Sequence, residues 1–119
     1  MDMIQLMVRM VAHPDGGPQL VTALRSVMRP AQQARSCCFA EIYRRVNDDC
    51  RIEYVEEWDD PRALREQFGS ERFLRLLEVL ETAAEQPLVE FRIIGKTHGL
   101  EYLAAESAPS QSSGDQQRE

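Results

Sequence analysis

The sequence predicts a single α+β domain, an antiparallel sheet with helices packed on one face. Three observations predict it. Apolar residues recur along residues 3–94 at the spacings of strand, helix, strand, strand, helix and strand, in that order. The two central strand segments are separated only by the short polar run Asn47, Asp48, Asp49, which reads as a hairpin turn. Asp60 and Ser70 stand where helix-capping residues are needed, each just before a helical stretch.

The first strand is Met3–Val11, MIQLMVRMV. Ile4, Leu6, Val8 and Met10 share one face. Met3, Met7 and Val11 lie on the other with Gln5 and Arg9, so both faces are expected to be covered. The run HPDGGP is a turn, and Pro18 can open a helix because the start of a helix has no use for its missing N–H. Leu20, Leu24, Val27, Met28 and Ala31 then form one helical face, within which Pro30 is expected to kink or restart the helix. Cys37–Arg45 and residues 50–58 are the hairpin strands. With Val46 opposite Cys50, Ile42 faces Tyr54, Ala40 faces Glu56 and Cys38 faces Trp58 on one side of the sheet. Phe39, Glu41, Tyr43, Arg45, Arg51, Glu53, Val55 and Glu57 lie on the other.

Asp59, Asp60 and Pro61 stop the third strand and start a short helix reaching about Phe68, where Gly69 breaks it. Ser70 caps a longer helix with Phe73, Leu76, Leu77, Leu80, Ala83 and Ala84 on one stripe and Glu71, Arg75 and Glu78 opposite. Glu85, Gln86 and Pro87 end it. Leu88–Ile94 is the fourth strand, and residues 96–103 either extend it or cross to a partner. From Ala104 the chain has almost no large apolar residue and is expected to be disordered, which divides the sequence into a domain, 1–103, and a tail, 104–119.

Composition narrows the function classes. The chain has 119 residues, 43% hydrophobic and 29% charged, as in ordinary globular proteins. A net charge of -6 argues against partners rich in phosphate, both nucleic acid and anionic membrane. No apolar run approaches the roughly 20 residues needed to span a bilayer. MDMIQLMVRMV lacks the basic start of a signal peptide, so a cytoplasmic protein is expected. Cys37, Cys38 and Cys50 are odd in number. The adjacent pair, about 3.8 Å apart at Cα, is too close for ordinary disulfide geometry, so the thiols read as small apolar residues. No Cys/His spacing suggests a metal site, and no glycine pattern offers a docking loop for flavin or nicotinamide.

The element order is the ferredoxin-like pattern, in which helices cover one sheet face. The uncovered face, with strand one apolar on both sides and strand four adding Val89, Phe91, Ile93 and Ile94, is expected to be closed by a second copy of the chain in a homodimer.

The segment EEWDDPRALREQFGSERF resembles the Glu-x-Trp, Leu, Ser, Phe signature of the antibiotic biosynthesis monooxygenase domain family, and the resemblance extends over roughly residues 3–103. It implies a small ferredoxin-like domain whose paired sheets form a dimeric α/β barrel. It also implies oxidation of phenolic, quinol or anthrone-type substrates by O2 with no cofactor. Where such proteins often have histidine, this chain has Gln67, an amide that orients but takes no proton at neutral pH. A haem-degrading branch of the same fold needs an axial histidine that neither Gln67 nor Arg72 supplies.

Chemistry of this kind needs an apolar pocket, a proton acceptor and donors for the anion that forms. Glu56 is the candidate base, or else the partner of Arg44 or Arg9 in an ion pair or a buried hydrogen-bond anchor. Arg9 is the candidate for holding an anionic oxygen, or an interface ion pair. Trp58 and Tyr54 either stack on an aromatic substrate or fill the core. Phe73 is core or pocket wall, and Gln67 orients the substrate. Ser70 reads as a cap, and His13 and His98 lie in connecting segments. The expected activity is a monooxygenase acting on a small electron-rich aromatic, without metal or cofactor. The alternative is a non-catalytic dimer that binds a small ligand or regulates a partner.

Overall fold

The structure, a computed structural model, describes residues 2–106. In chain order the elements are β1 (Met3–Val11), α1 (Gly17–Gln32), β2 (Cys37–Arg45), β3 (Asp48–Trp58), α2 (Pro61–Arg65), α3 (Glu71–Leu80), β4 (Leu88–Ile94) and α4 (Glu101–Glu106). The strands make one antiparallel sheet in the order β2-β3-β1-β4.

Alternation along β1 places Ile4, Leu6, Val8 and Met10 on the helix side, where they are buried with Ile52, Tyr54 and Trp58 of β3. Leu20, Leu24 and Val27 of α1, Leu64 of α2, and Phe73, Leu76 and Val79 of α3 close over them as one core. Two local devices hold the helices in place. A Cβ on Gly17 would sit 2.8 Å from the carbonyl oxygen of Asp49, so α1 approaches the start of β3 more closely than any other residue allows. The Asp60 carboxylate accepts from the Arg62 amide at 2.9 Å, and the Ser70 hydroxyl accepts from the Phe73 amide at 3.3 Å, capping α2 and α3 as the sequence predicts.

Several expectations are corrected. Pro30 does not restart α1, which continues unbroken to Gln32; the proline lies in the last turn, where its missing N–H interrupts little of the ladder. The hairpin turn is Val46 and Asn47, with Arg45 opposite Asp48. The centre of the pairing is as predicted, Ile42 with Tyr54 and Ala40 with Glu56. Irregularities between Cys37 and Phe39 and between Arg44 and Arg45 shift both ends. Cys37, rather than Cys38, therefore pairs with Trp58 and packs on the core, while Cys38 is exposed. α3 ends at Leu80, where the Thr82 hydroxyl bonds back to the Val79 carbonyl at 2.7 Å.

Val89, Phe91 and Ile93 pair with Val8, Leu6 and Ile4, which places them on the helix side of the sheet, beyond the reach of the helices, and leaves all three exposed. The opposite face is accordingly less apolar than expected. Met7 and Val55 are buried there beneath a ladder of charged and amide side chains that includes Arg9–Glu53 and Gln5–Glu57. Ala104 to Glu106, expected to begin the tail, are helical in α4; the remainder of the expected tail lies outside the described residues.

Candidate functional site

Glu56 projects from β3 into the helix side of the sheet because it pairs with Leu6 of β1 and Ala40 of β2, both core residues. It is fully buried. An isolated carboxylate there would be strongly unfavourable, and the surrounding side chains show how it is accommodated. Residues two positions away on a strand share its face, so Tyr54 and Trp58 flank it. The Tyr54 hydroxyl donates to Oε2, and the Trp58 indole N–H donates to Oε1 at 2.9 Å. Arg72, one of the buried residues of α3, reaches across from the helix layer. Its Nη1 donates to Oε2 of Glu56 and its Nη2 to Oε1 at 3.3 Å, a two-pronged carboxylate contact.

The guanidinium is itself held from three sides. Its Nε donates to Oε1 of Gln67 at 3.1 Å, and Nη1 also donates to the Val27 carbonyl at 3.2 Å. It lies 5.0 Å from the centre of the Phe73 ring and 6.0 Å from that of Trp58. Phe68, in the α2–α3 connector, covers Phe73 at 5.2 Å between ring centres and meets Phe91 of β4 edge-on at 5.5 Å. Burial, reinforced by the neighbouring Glu56 charge, pushes the Tyr54 phenol far above its usual range, so it stays a proton donor to the carboxylate. The same two causes push the Cys37 thiol up to about 11.

The structure thus gathers Glu56, Tyr54, Trp58, Gln67 and Phe73 around Arg72. Sequence reasoning weighed Arg72 only as a haem ligand. The signal that finds it is a pair of misfits: Arg72 stands four residues before Leu76 on the buried stripe of α3, and Glu56 stands between Tyr54 and Trp58 on the buried face of β3. Arg9 does not join them. It points from the opposite face of the sheet, is exposed, and pairs with Glu53 at 3.2 Å. The partners considered for Glu56, Arg9 and Arg44, are both replaced by Arg72.

Tyr54 and Trp58 are packed as core, and two open grooves lie away from them. One of about 430 Å³ opens at the turn end of the hairpin, with Arg9, Tyr43, Arg51 and Leu88 among its lining residues. Another of about 410 Å³ lies between α1 and the segment after α3. Among the described residues, no group of three or more His, Cys, Asp or Glu side chains is arranged to hold a metal ion, and no helix is long and apolar enough to cross a membrane.

No protein-family profile matches the chain, and no curated protein matches it in sequence. Solved structures do match in fold. The chain superposes on the Rv0793 protein of Mycobacterium tuberculosis with a TM-score of 0.66 at 18% identity, covering 82% of this chain and 98% of that one. For the PA3566 protein of Pseudomonas aeruginosa the values are 0.67, 20%, 82% and 97%. For a structure described as an antibiotic biosynthesis monooxygenase they are 0.66, 16%, 80% and 99%. At these identities the likeness is one of fold, and the chain has the ferredoxin-like α+β fold of the antibiotic biosynthesis monooxygenase structures.

Proposed function

We propose that this chain is a cytoplasmic, homodimeric monooxygenase that oxidises a small electron-rich aromatic, quinol- or anthrone-like, with O2 and without metal or flavin. The observation that carries the reading is the buried cluster of Glu56, Arg72, Tyr54 and Trp58. A buried ion pair seldom stabilises a fold more than apolar residues of the same volume, so its placement in the middle of a core is better explained by chemistry than by stability. The likeness to structures described as antibiotic biosynthesis monooxygenases supports the reaction class.

The way in is the α2–α3 corner. Phe68 is half exposed, and open space surrounds Gly69. Displacing Phe68 and then Phe73 uncovers the guanidinium of Arg72. A substrate hydroxyl or acidic C–H arriving there displaces the Tyr54 hydroxyl from Oε2 of Glu56 and gives its proton to that oxygen. Arg72 and the Trp58 indole N–H then stabilise the substrate anion, and Gln67 fixes the angle of the guanidinium. The anion transfers an electron to O2, the two radicals combine, and the peroxide collapses. For a methylene oxidised to a carbonyl the balance closes without a further reductant: one oxygen atom enters the product and the other leaves as water. Dimerisation is supported by the half-buried apolar residues Met3, Val11, Phe39 and Ile94 on the outer face of the sheet and by the exposed Leu100 and Tyr102 around α4.

Oxygen uptake with a panel of quinols and anthrones tests the reading. Wild-type turnover that falls at least a hundredfold in Glu56→Gln and falls in Trp58→Phe, each shown to be folded by circular dichroism, supports it. No uptake across the panel would retire it. A second reading has its own observation. Both oxygens of Glu56 already accept two hydrogen bonds each, and Gln67 accepts no proton, an arrangement suited to a dimer that binds a ligand without transforming it. Ligand binding without oxygen uptake selects that reading.

A further inference from the structure

We infer that the free edge of β4 pairs antiparallel with β4 of a second copy of this chain, about a two-fold axis at Phe91. The contact is made along a strand edge. It is therefore distinct from the stacking of sheet faces in the proposed dimer and from the Glu56 cluster.

The first observation is that the two edges of the sheet are unlike. The order β2-β3-β1-β4 leaves β2 and β4 outermost. β2 is guarded. Its pairing is irregular at both ends, and side chains already take up two of its carbonyls: Gln32 donates to Ala40 at 2.9 Å and the Cys37 thiol to Phe39 at 3.3 Å. Among the described residues β4 shows none of these devices. It pairs with β1 in one unbroken register over its seven residues, and no other backbone group bonds to it. On an edge strand the amide and carbonyl of every second residue point away from the neighbour, and here they are left for another strand.

The second observation is that the strand, LVEFRII, is self-complementary about its centre. Set antiparallel on its copy with the two Phe91 side chains opposite each other, it places Glu90 opposite the partner's Arg92 and Arg92 opposite the partner's Glu90. Val89 then faces the partner's Ile93, and Leu88 the partner's Ile94. Opposite charges and aliphatic pairs are the combinations that favour cross-strand contact. Other registers are worse. A slip of two residues sets Glu90 against Glu90 or Arg92 against Arg92, and a slip of one turns the helix side of one copy to the outer side of the other. Exposed ion pairs contribute little strength, so the charges choose the register and the apolar residues supply the affinity.

The third is the exposed apolar surface. Val89, Phe91 and Ile93 lie on the helix side, past the edge of the helix layer, and Ile93 is 67% exposed. Residues directly opposite in an antiparallel pair point to the same side, so the strips of the two copies merge into one band. Phe68 of each copy, which already meets Phe91 at 5.5 Å, flanks that band. The result is one sheet of eight strands, four from each copy, with both helix layers on the same side. Each copy then covers part of the apolar surface the other leaves bare, in a contact that closes on itself.

Sedimentation velocity of the full chain tests the pairing. Glu90→Arg leaves two arginines at the charged positions of each copy, and Arg92→Glu leaves two glutamates. Each variant alone should have half the mass of the wild-type assembly, because like charges then face each other twice. An equimolar mixture of the two should regain the wild-type mass, since the arginines of one copy face the glutamates of the other. Phe91→Asp acts on the helix side, away from the sheet face, and should also halve the mass. Circular dichroism confirms the fold of each variant. Wild-type mass in any of the three variants, a mixture that stays at the lower mass, or a monomeric wild-type chain would overturn the inference. If the wild-type chain is a dimer and every variant keeps that mass, the edge contact is refuted and the sheet-face dimer stands.

Discussion

Replacing Arg72 by Met is the sharpest perturbation of the cluster. The side chains of Arg72 and Glu56 are 6% and 0% exposed, so neither charge has water to fall back on. Methionine keeps most of the volume and removes every donor. Glu56 retains Tyr54 and Trp58 but loses its counter-ion, while Gln67 Oε1 and the Val27 carbonyl lose their donors. Breaking a buried pair by removing one partner costs about 3–5 kcal/mol. For a domain of this size 1 kcal/mol shifts Tm by about 4 °C, so the variant should melt about 12–20 °C lower. The surface pair Arg92–Glu90 is the control, its side chains 47% and 39% exposed, and Arg92→Met should cost under about 1 kcal/mol. Replacing the group together, as Tyr54→Phe with Glu56→Leu and Arg72→Met, removes charge and counter-charge at once and should recover most of the loss. Urea and thermal unfolding followed by circular dichroism measure all three proteins. An Arg72→Met cost no larger than that of Arg92→Met would refute the reasoning, because Glu56 would then be stabilised by something other than Arg72.

Gly17→Ala places a methyl carbon 2.8 Å from the Asp49 carbonyl oxygen and should cost about 1–3 kcal/mol in urea unfolding, through the contact rather than through backbone strain. Asp60→Ala removes the acceptor for the Arg62 amide and should cost about 1 kcal/mol in the same assay. Burial raises the Cys37 thiol from 9.0 to about 11, so the folded state holds that proton more tightly than the unfolded chain does. Its contribution is therefore complete below pH 9 and is lost as the pH rises through 11. Chemical denaturation across that range should show stability falling with pH, and Cys37→Ala should flatten the slope.

Much of this fold can be read from residue spacing. β1 and β4 begin and end as their apolar patterns predict, and Asp60 and Ser70 cap the helices they were expected to cap. The central hairpin register follows from alternation alone, because a slip of one residue would turn Tyr54 and Trp58 out of the core. Its ends do not follow, since Val46 and Asn47 carry no glycine to mark a two-residue turn, and the shift at Arg44 lies in backbone geometry that a residue pattern does not record. Glu56, Tyr54 and Trp58 were legible as neighbours because they lie on one strand. Arg72 was not, because its partner lies sixteen residues away in another element. Arg9 was misplaced for a related reason. Its own strand predicts that it opposes Leu6 and Val8, but only the pairing of Leu6 with Glu56 shows that Glu56 lies on the other side of the sheet.

The central claim is that the buried Glu56–Arg72 cluster performs oxygen chemistry. Its most direct test is turnover of an anthrone by the full chain under isotopically heavy O2, with the product analysed by mass spectrometry. One heavy oxygen atom in each product molecule, with turnover absent in Glu56→Gln, is the result this account predicts. A product whose oxygen comes from water, or an anthrone recovered unchanged, would contradict it.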